Sequence, residues 1–273
     1  IVLVVLSFLR WISHLMTFGR VSDTLDRVET AASEAFSRRL AAPCMGGEVQ
    51  TEPPPENRPR VYCHSVGYVQ HVDMQLLAEA AETSGSRIWV VAVPGTFVHD
   101  NAVLAVVDSI ELAEEIATDI REAFTIGKER SFEQDPRFGV VVLSEIAIRA
   151  LSPAVNDPGT AIDVIGRLVR ILSPWRTEEA QEPTFTGVIV PAIHTKELLE
   201  DAFRPIARDA AGAYEVHLHV QKGLRALRDA APGTFREAAR DASLYALERG
   251  RDAELAPQEA RRLREIALAQ EST

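Results

Sequence analysis

Two polar segments carry the side chains of this chain whose types suit ligand binding or catalysis. Residues 125–136 hold cations and acids close together, and residues 149–161 form a polar break between two apolar helical patterns. Lysine and arginine bind phosphate or carboxylate groups, and polar side chains beside a helix N-terminus favour an anion. The candidate ligand-binding residues are therefore Lys128, Arg130, Gln134, Asp135, Arg149, Ser152, Asn156, Asp157 and Thr160.

The second segment also has a purely structural interpretation, and both interpretations stay open. Ser152-Pro153 and Asp157-Pro158 each place a capping residue before a proline, which is typical of a helix start. Asn156 between them tolerates unusual backbone angles. The segment is then a capped corner between two helices.

The first segment has a structural alternative as well. Gly127 is predicted to interrupt a helix, since glycine costs about 1 kcal/mol relative to alanine inside one. Lys128 and Arg130 would then belong to a solvated charge run at the helix end. The spacing of a phosphate-binding P-loop is absent from this segment.

The sequence contains no recognised catalytic constellation. A Gly-x-Ser-x-Gly nucleophile elbow is absent, and no carboxylate pair stands out as an acid–base couple. Cys44 and Cys63 lack the spacing of zinc ligands and are expected to be reduced thiols. We therefore assign no catalytic residue, no metal and no cofactor, and favour a non-enzymatic role.

Composition excludes one class of partner. The 273 residues carry a net charge of −11, and 46% of them are apolar. No basic stripe or aromatic platform is present, so binding to nucleic acid is not expected.

The first 18 residues predict contact with a lipid bilayer. Nine apolar residues precede Arg10 and Trp11, which is too few to span a bilayer alone. We favour the end of a transmembrane helix, over a buried soluble helix and, last, a signal peptide. Because the chain starts with Ile1 rather than Met, we expect a natural N-terminal part to be missing. The positive-inside rule places the residues after about 20 in the cytoplasm, at the plasma membrane, on the strength of Arg10, Arg20, Arg27, Arg38 and Arg39.

Periodicity predicts an α+β fold for the remainder. Residues 1–40 comprise the membrane segment and an amphipathic juxtamembrane helix, and 41–60 form a proline-rich linker. A small β-rich module with one helix, begun by Asp73, covers 61–108, and an α-helical domain covers 109–273. Within that domain we predict helices over 110–124, 135–151 and 158–172, with a lone strand over 185–190.

Several stretches of the chain, in order, resemble one family of bacterial proteins. They are Gly67-Tyr68-Val69-Gln70, Pro94-Gly95-x-Phe97-Val98, Arg121-x-Ala123-Phe124-x-Ile126-Gly127-x-Glu129-Arg130, Glu133-Gln134-Asp135-x-x-Phe138-Gly139 and Ala147-x-Arg149-Ala150-Leu151-Ser152-Pro153-Ala154-x-Asn156-Asp157-Pro158-x-Thr160-Ala161. Together these stretches are similar to the predicted membrane proteins grouped as domain of unknown function 2254. The resemblance implies further transmembrane helices before this region, with Ile1 to about Phe18 as the end of the last one. It implies no activity.

Three functional hypotheses remain for this membrane-attached part. The first is a non-catalytic role in ligand sensing, regulation or assembly, which includes self-association into a homo-oligomer. The second is an enzyme acting on a polar or phosphorylated substrate, which requires residues 125–136 and 149–161 to meet at one substrate. The third is a purely structural scaffold.

Overall fold

The computed structural model describes residues 21–177, 182–210, 212–252 and 255–268. The helices in these ranges are α1 (Val21–Ala41), α2 (Met74–Ser84), α3 (Glu114–Glu122), α4 (Pro136–Leu151), α5 (Pro158–Leu172), α6 (Thr195–Asp209), α7 (Tyr214–Ala230), α8 (Pro232–Asp252) and α9 (Pro257–Leu268). The strands are β1 (Glu48–Val49), β2 (Arg60–Tyr62), β3 (Gly67–Val72), β4 (Ile88–Val90), β5 (Phe97–Val98), β6 (Val103–Val107), β7 (Phe124–Gly127) and β8 (Val188–Val190). The α+β class with a mainly helical body is confirmed.

Two small sheets form the β-rich part. The first has the strand order β1-β8-β4-β6-β2, with β8 parallel to both β1 and β4 and the other pairs antiparallel. The second is antiparallel, in the order β5-β3-β7. A single apolar cluster joins strands of both sheets to α2 and α3, and includes Leu77, Ile88, Val107 and Ile120.

Helices α1 and α4 to α8 enclose a second apolar cluster. Its largest side chains include Trp175, Phe203 and Phe235, and Trp175 meets Phe36 of α1 edge to face with ring centroids 5.5 Å apart. Helix α1 packs on both α4 and α5. It crosses α4 so closely that a Cβ on Gly139 would lie 2.3 Å from the Cβ of Ala32. We call these helices, together with α9, the helical body.

An ion-pair cluster fixes α1 to α5. The guanidinium of Arg167, 9% exposed, lies 2.6 Å from Asp26, 2.5 Å from Glu29 and 2.9 Å from Asp163. Arg170, 59% exposed, also bonds Glu29 at 2.7 Å. Hydrogen bonding from Arg170, followed by the charges of both arginines, holds the pKa of Glu29 below its ordinary value against the opposing effect of burial.

The structure differs from the sequence expectations in three segments that contain strands. The helix predicted over 110–124 is limited to the short α3, because Phe124–Gly127 form β7 and pair with β3. Gly127 therefore lies in a strand and does not interrupt a helix. The segment 185–190 contains β8, an interior strand rather than a lone one. Within 41–60, residues 48 and 49 form β1, which pairs with β8. The β-rich part therefore draws strands from outside 61–108.

The helix start predicted at Asp73 is confirmed. The carboxylate of Asp73 accepts hydrogen bonds from the amides of Gln75 and Leu76 at the start of α2. Cys44 and Cys63 are buried and form no disulfide. The segment expected in the bilayer, residues 1–18, lies outside the described residues. Among the helices that are described, none combines the length and the apolarity needed to cross a bilayer.

We expect Arg167→Ala to lower the free energy of unfolding by about 2–3 kcal/mol, because it removes a buried guanidinium that bonds Asp26, Glu29 and Asp163 at once. Arg170→Ala is the matched control, since it also touches Glu29 but is exposed, and its loss should stay below about 1 kcal/mol. Urea unfolding of both variants measures the difference. Equal losses would contradict a larger contribution of the buried Arg167 than of the exposed Arg170 to this cluster.

The lowered pKa of Glu29 predicts a pH dependence. A carboxylate with a depressed folded-state pKa adds stability above its unfolded value, near 4.5, and loses it as pH falls through the folded pKa. The melting temperature of the unmodified chain should therefore exceed that of Glu29→Gln at neutral pH, and the gap should narrow below pH 4.5. Glu248→Gln, at an exposed position, controls for the change in net charge. A gap independent of pH would refute this prediction.

Candidate functional site

The structure divides the nine candidate residues between the two ends of α4. Lys128, Arg130, Gln134 and Asp135 lie before its first residue, whereas Arg149 to Thr160 lie at or beyond its last turn. Helix α4 has 16 residues and is therefore about 24 Å long. Arg130 and Asp157 are thus too far apart to contact one small substrate, and the two segments do not line a common pocket.

Asp135 is the centre of the first group. Its side chain is 3% exposed, and its Oδ2 accepts hydrogen bonds from Nε and Nη2 of Arg130 at 2.8 and 2.7 Å. Its Oδ1 accepts from the amide of Phe138 at 3.2 Å, which caps α4. Burial raises the pKa of Asp135 above its ordinary value, although the charge and hydrogen bonds of Arg130 oppose that rise.

The same carboxylate touches the β-rich part. Pro94 and Gly95 form the predicted turn, closed by a hydrogen bond from the Thr96 amide to the Val93 carbonyl, and Gly95 has a φ of +90°. A Cβ on Gly95 would lie 2.2 Å from Oδ2 of Asp135. Glycine is required here both for the positive φ and for the close approach of the carboxylate.

Gln134 extends the second sheet. Its Oε1 accepts from the amide of Val72 at 2.8 Å, and its Nε2 donates to the Val72 carbonyl at 3.2 Å. The side chain thus satisfies both backbone groups of the last residue of β3. From α1, Arg38 donates to the carbonyls of Phe132 and Glu133 at 3.1 and 3.2 Å. Residues 130–135 therefore join the β-rich part, α1 and α4, whereas Lys128 is exposed.

The second group forms the corner between α4 and α5. Asp157 accepts hydrogen bonds from the amide and hydroxyl of Thr160 at 3.1 and 2.5 Å, which cap α5 and hold the pKa of Asp157 below its ordinary value. Ser152 instead ends α4, donating its hydroxyl to the carbonyl of Arg149 at 2.7 Å. The helix start predicted at Ser152-Pro153 is therefore wrong, and that at Asp157-Pro158 is confirmed. Asn156 adopts the left-handed conformation, with a φ of +50°.

A cavity of about 300 Å³ lies where the β-rich part meets the helical body. Two helices, α4 and α6, begin at its wall. The β-rich side contributes apolar and proline residues, and the helical side contributes charged ones. The lining comprises Arg39, Val93, Pro94, Gln134, Asp135, Pro136, Arg137, Pro191, Ala192, Ile193, His194 and Glu197.

Sequence reasoning missed the charged lining residues other than Asp135. Arg137 bonds Glu197, and its Nε lies 2.8 Å from Asp201, so it ties α4 to α6. Arg39 is buried on α1. A signal for Arg39 existed in the sequence, since it falls three residues after Phe36 on the apolar stripe of α1, where a charged residue is unexpected.

Two larger concave surfaces suit ligand binding less well. A groove of about 710 Å³ runs along the exposed face of α1, but that single helix lines it. A groove of about 480 Å³ follows α4, α6 and α8, where Arg204 stacks on Tyr245. The described ranges contain no group of three or more His, Cys, Asp or Glu residues placed to hold a metal ion.

Gly95→Ala should destabilise the protein more than Gly85→Ala. Both glycines have a positive φ, but a Cβ on Gly85 would meet no atom within 4 Å. Gly85→Ala should therefore cost about 1–2 kcal/mol from the backbone conformation alone. Gly95→Ala also displaces a buried ion pair, for a total of about 4 kcal/mol or more. Urea unfolding distinguishes the two, and equal costs would contradict the contact between Gly95 and Asp135.

Comparison with known proteins places the chain in a family. An uncharacterized protein of Mycobacterium bovis is 30% identical over 178 residues, which cover 60% of this chain and 33% of the relative. An uncharacterized protein of Mycobacterium tuberculosis matches with the same identity and coverage. The matched region thus spans about a third of the length of these relatives, and no solved structure matches the chain significantly. The model of the family described as "Predicted membrane protein (DUF2254)" matches residues 1–226, and the chain belongs to that family of predicted membrane proteins.

Proposed function

We propose that this part of the protein is a non-catalytic regulatory module that senses a small polar or anionic ligand in the cavity between its two parts. The observation that carries the proposal is the cavity of about 300 Å³, which both parts line. Ligand sites of this size are found preferentially at such junctions. A ligand held there contacts both parts at once and so favours one arrangement of the junction.

The chemistry of the lining supports an anion. The N-termini of α4 and α6 reach the cavity, and the backbone amides at a helix start favour negative charge. Arg39, buried on α1, contributes a cationic side chain to the lining, whereas Arg137 is paired with Glu197 and Asp201. The acids in the lining are engaged in binding arginine, since Asp135 is bound by Arg130 and Glu197 by Arg137.

The same contacts argue against the enzymatic alternative. Asp135 acts as a helix cap and the partner of Arg130, and Arg137 joins two helices, so their charges are already used to hold the fold. The second polar segment lies at the other end of α4, about 24 Å away. A shared substrate contact, which that alternative needs, is not available.

We place this module on the cytoplasmic face of the plasma membrane. Membership of a family of predicted membrane proteins supports the membrane attachment. The arginines that come after the apolar N-terminal run support the cytoplasmic side, by the positive-inside rule.

A thermal-shift screen of the full chain with inorganic phosphate and short-chain carboxylates tests the cavity. A ligand at a hundred times its Kd should stabilise the protein by about 2.7 kcal/mol. Ala192→Phe should abolish the shift because the larger side chain fills the cavity. Ala154→Phe, at an exposed position at the far end of α4, should retain it.

Two results would contradict the proposal. One is the absence of a shift with every anion of the screen. The other is a shift of the same size in Ala192→Phe, which would place the bound anion elsewhere on the protein.

A further inference from the structure

The contacts between α1 and α4 fix which end of the helical body holds the first residue of α1. Arg38, near the end of α1, bonds the carbonyls just before α4, and Ala32 meets Gly139 one turn into it. The two helices are therefore antiparallel. Measured along α4 from its contact with Ala32, Leu151 lies about 18 Å from Gly139. Measured along α1 in the same direction, Val21 lies about 17 Å from Ala32, so the end of α4 is level with the start of α1.

Contacts of α5 lead to the same placement. Arg167 bonds Asp26, and Trp175, after the end of α5, packs on Phe36. Helix α5 therefore runs parallel to α1. Measured back from the contact of Arg167 with Asp26, Asp157 lies about 15 Å away along α5, and Val21 lies about 8 Å away along α1. The corner Ser152–Asp157 thus reaches at least as far as the first residue of α1, and the β-rich part occupies the opposite end.

The tip of this corner is apolar and exposed. Pro153, Ala154 and Val155 are all exposed, and Val155 has 55% of its surface accessible. Arg149, also exposed, lies one turn behind them on α4. In an interfacial membrane contact, apolar groups enter the headgroup boundary and a long cationic side chain reaches the headgroups. The three apolar residues of the tip, with Arg149 one turn behind them, fit this arrangement.

We propose that the tip Pro153–Val155 lies on the surface of the lipid bilayer, with Arg149 at the level of the headgroups. The proposal rests on the membrane attachment through residues 1–20, which join α1 at Val21, at the same end as the tip. The tip is too small for a stable interface with a second copy, which needs about 800 Å² from each partner. Contact with the bilayer requires no such area if the proposed attachment through residues 1–20 holds the module at the membrane.

A fluorescent label at position 155 tests the contact. Cys44 and Cys63 are 0% and 1% exposed, so a bimane thiol reagent should label Val155→Cys selectively. The full chain is reconstituted into vesicles of phosphatidylcholine and phosphatidylglycerol that contain a lipid with a headgroup-level nitroxide. Ile110→Cys, 88% exposed in the β-rich part, is the matched control. Leu9→Cys reports the membrane attachment itself.

We expect several-fold stronger quenching at position 155 than at position 110, together with quenching at position 9. Quenching at position 9 but not at 155 would overturn the proposal for the tip and leave the attachment intact. A blue-shifted but unquenched label at 155 would also overturn it, since the tip would then pack on protein. Absence of quenching at position 9 would overturn the attachment, and the tip proposal with it.

Discussion

The buried pair of Asp135 and Arg130 is the constraint on which the arrangement of this protein depends. The carboxylate of Asp135 is only 3% exposed and therefore needs hydrogen-bond donors from the protein. It accepts two hydrogen bonds from Arg130 and one from an amide in the first turn of α4. A buried ion pair adds little net stability, because desolvation offsets the attraction between the charges. Its effect is on geometry, since it fixes the start of α4, the course of residues 130–135 and the distance to the turn at Gly95.

Helix α1 extends that constraint over the length of the helical body. It meets α4 through the close contact of Ala32 and Gly139, and α5 through the ion pairs of Arg167. Near its end, Arg38 bonds the segment that contains Asp135. A change in the position of α1 would therefore alter contacts at the junction, and a ligand that favours one arrangement of the junction would act on α1. This reciprocity is the physical basis of the proposed regulatory role.

The sequence predicted best the features that depend on neighbouring residues. The caps at Asp73 and Asp157 arise from carboxylates that bond nearby backbone amides, and the turn at Pro94-Gly95 is closed by a backbone hydrogen bond between Thr96 and Val93. All three are confirmed. Apart from the helix start wrongly predicted at Ser152-Pro153, the errors concern pairing between distant segments. Phe124 continues a stripe with a spacing of four, yet it lies in β7 because β3 offers backbone partners that a helix end cannot. The bonds of Gln134 to Val72 are equally distant in sequence.

The sequence predicted which residue types could bind a ligand, but not which of those residues lie close together in the structure. Arg130, Gln134 and Asp135 were singled out as polar groups that could bind a ligand, and the structure uses them to connect the β-rich part with the helical body. The residues from Arg149 to Thr160 form a corner at the far end of α4. A rigid helix of about 24 Å separates the two groups, so no movement of side chains can bring them to one substrate. The two groups therefore have different surroundings. Residues 130–135 lie beside the cavity between the two parts, and the corner lies at the end of the helical body where α1 begins. Two such ends on one helix, with α1 packed along it, agree with the proposed regulatory module, in which an event at one end is transmitted to the other.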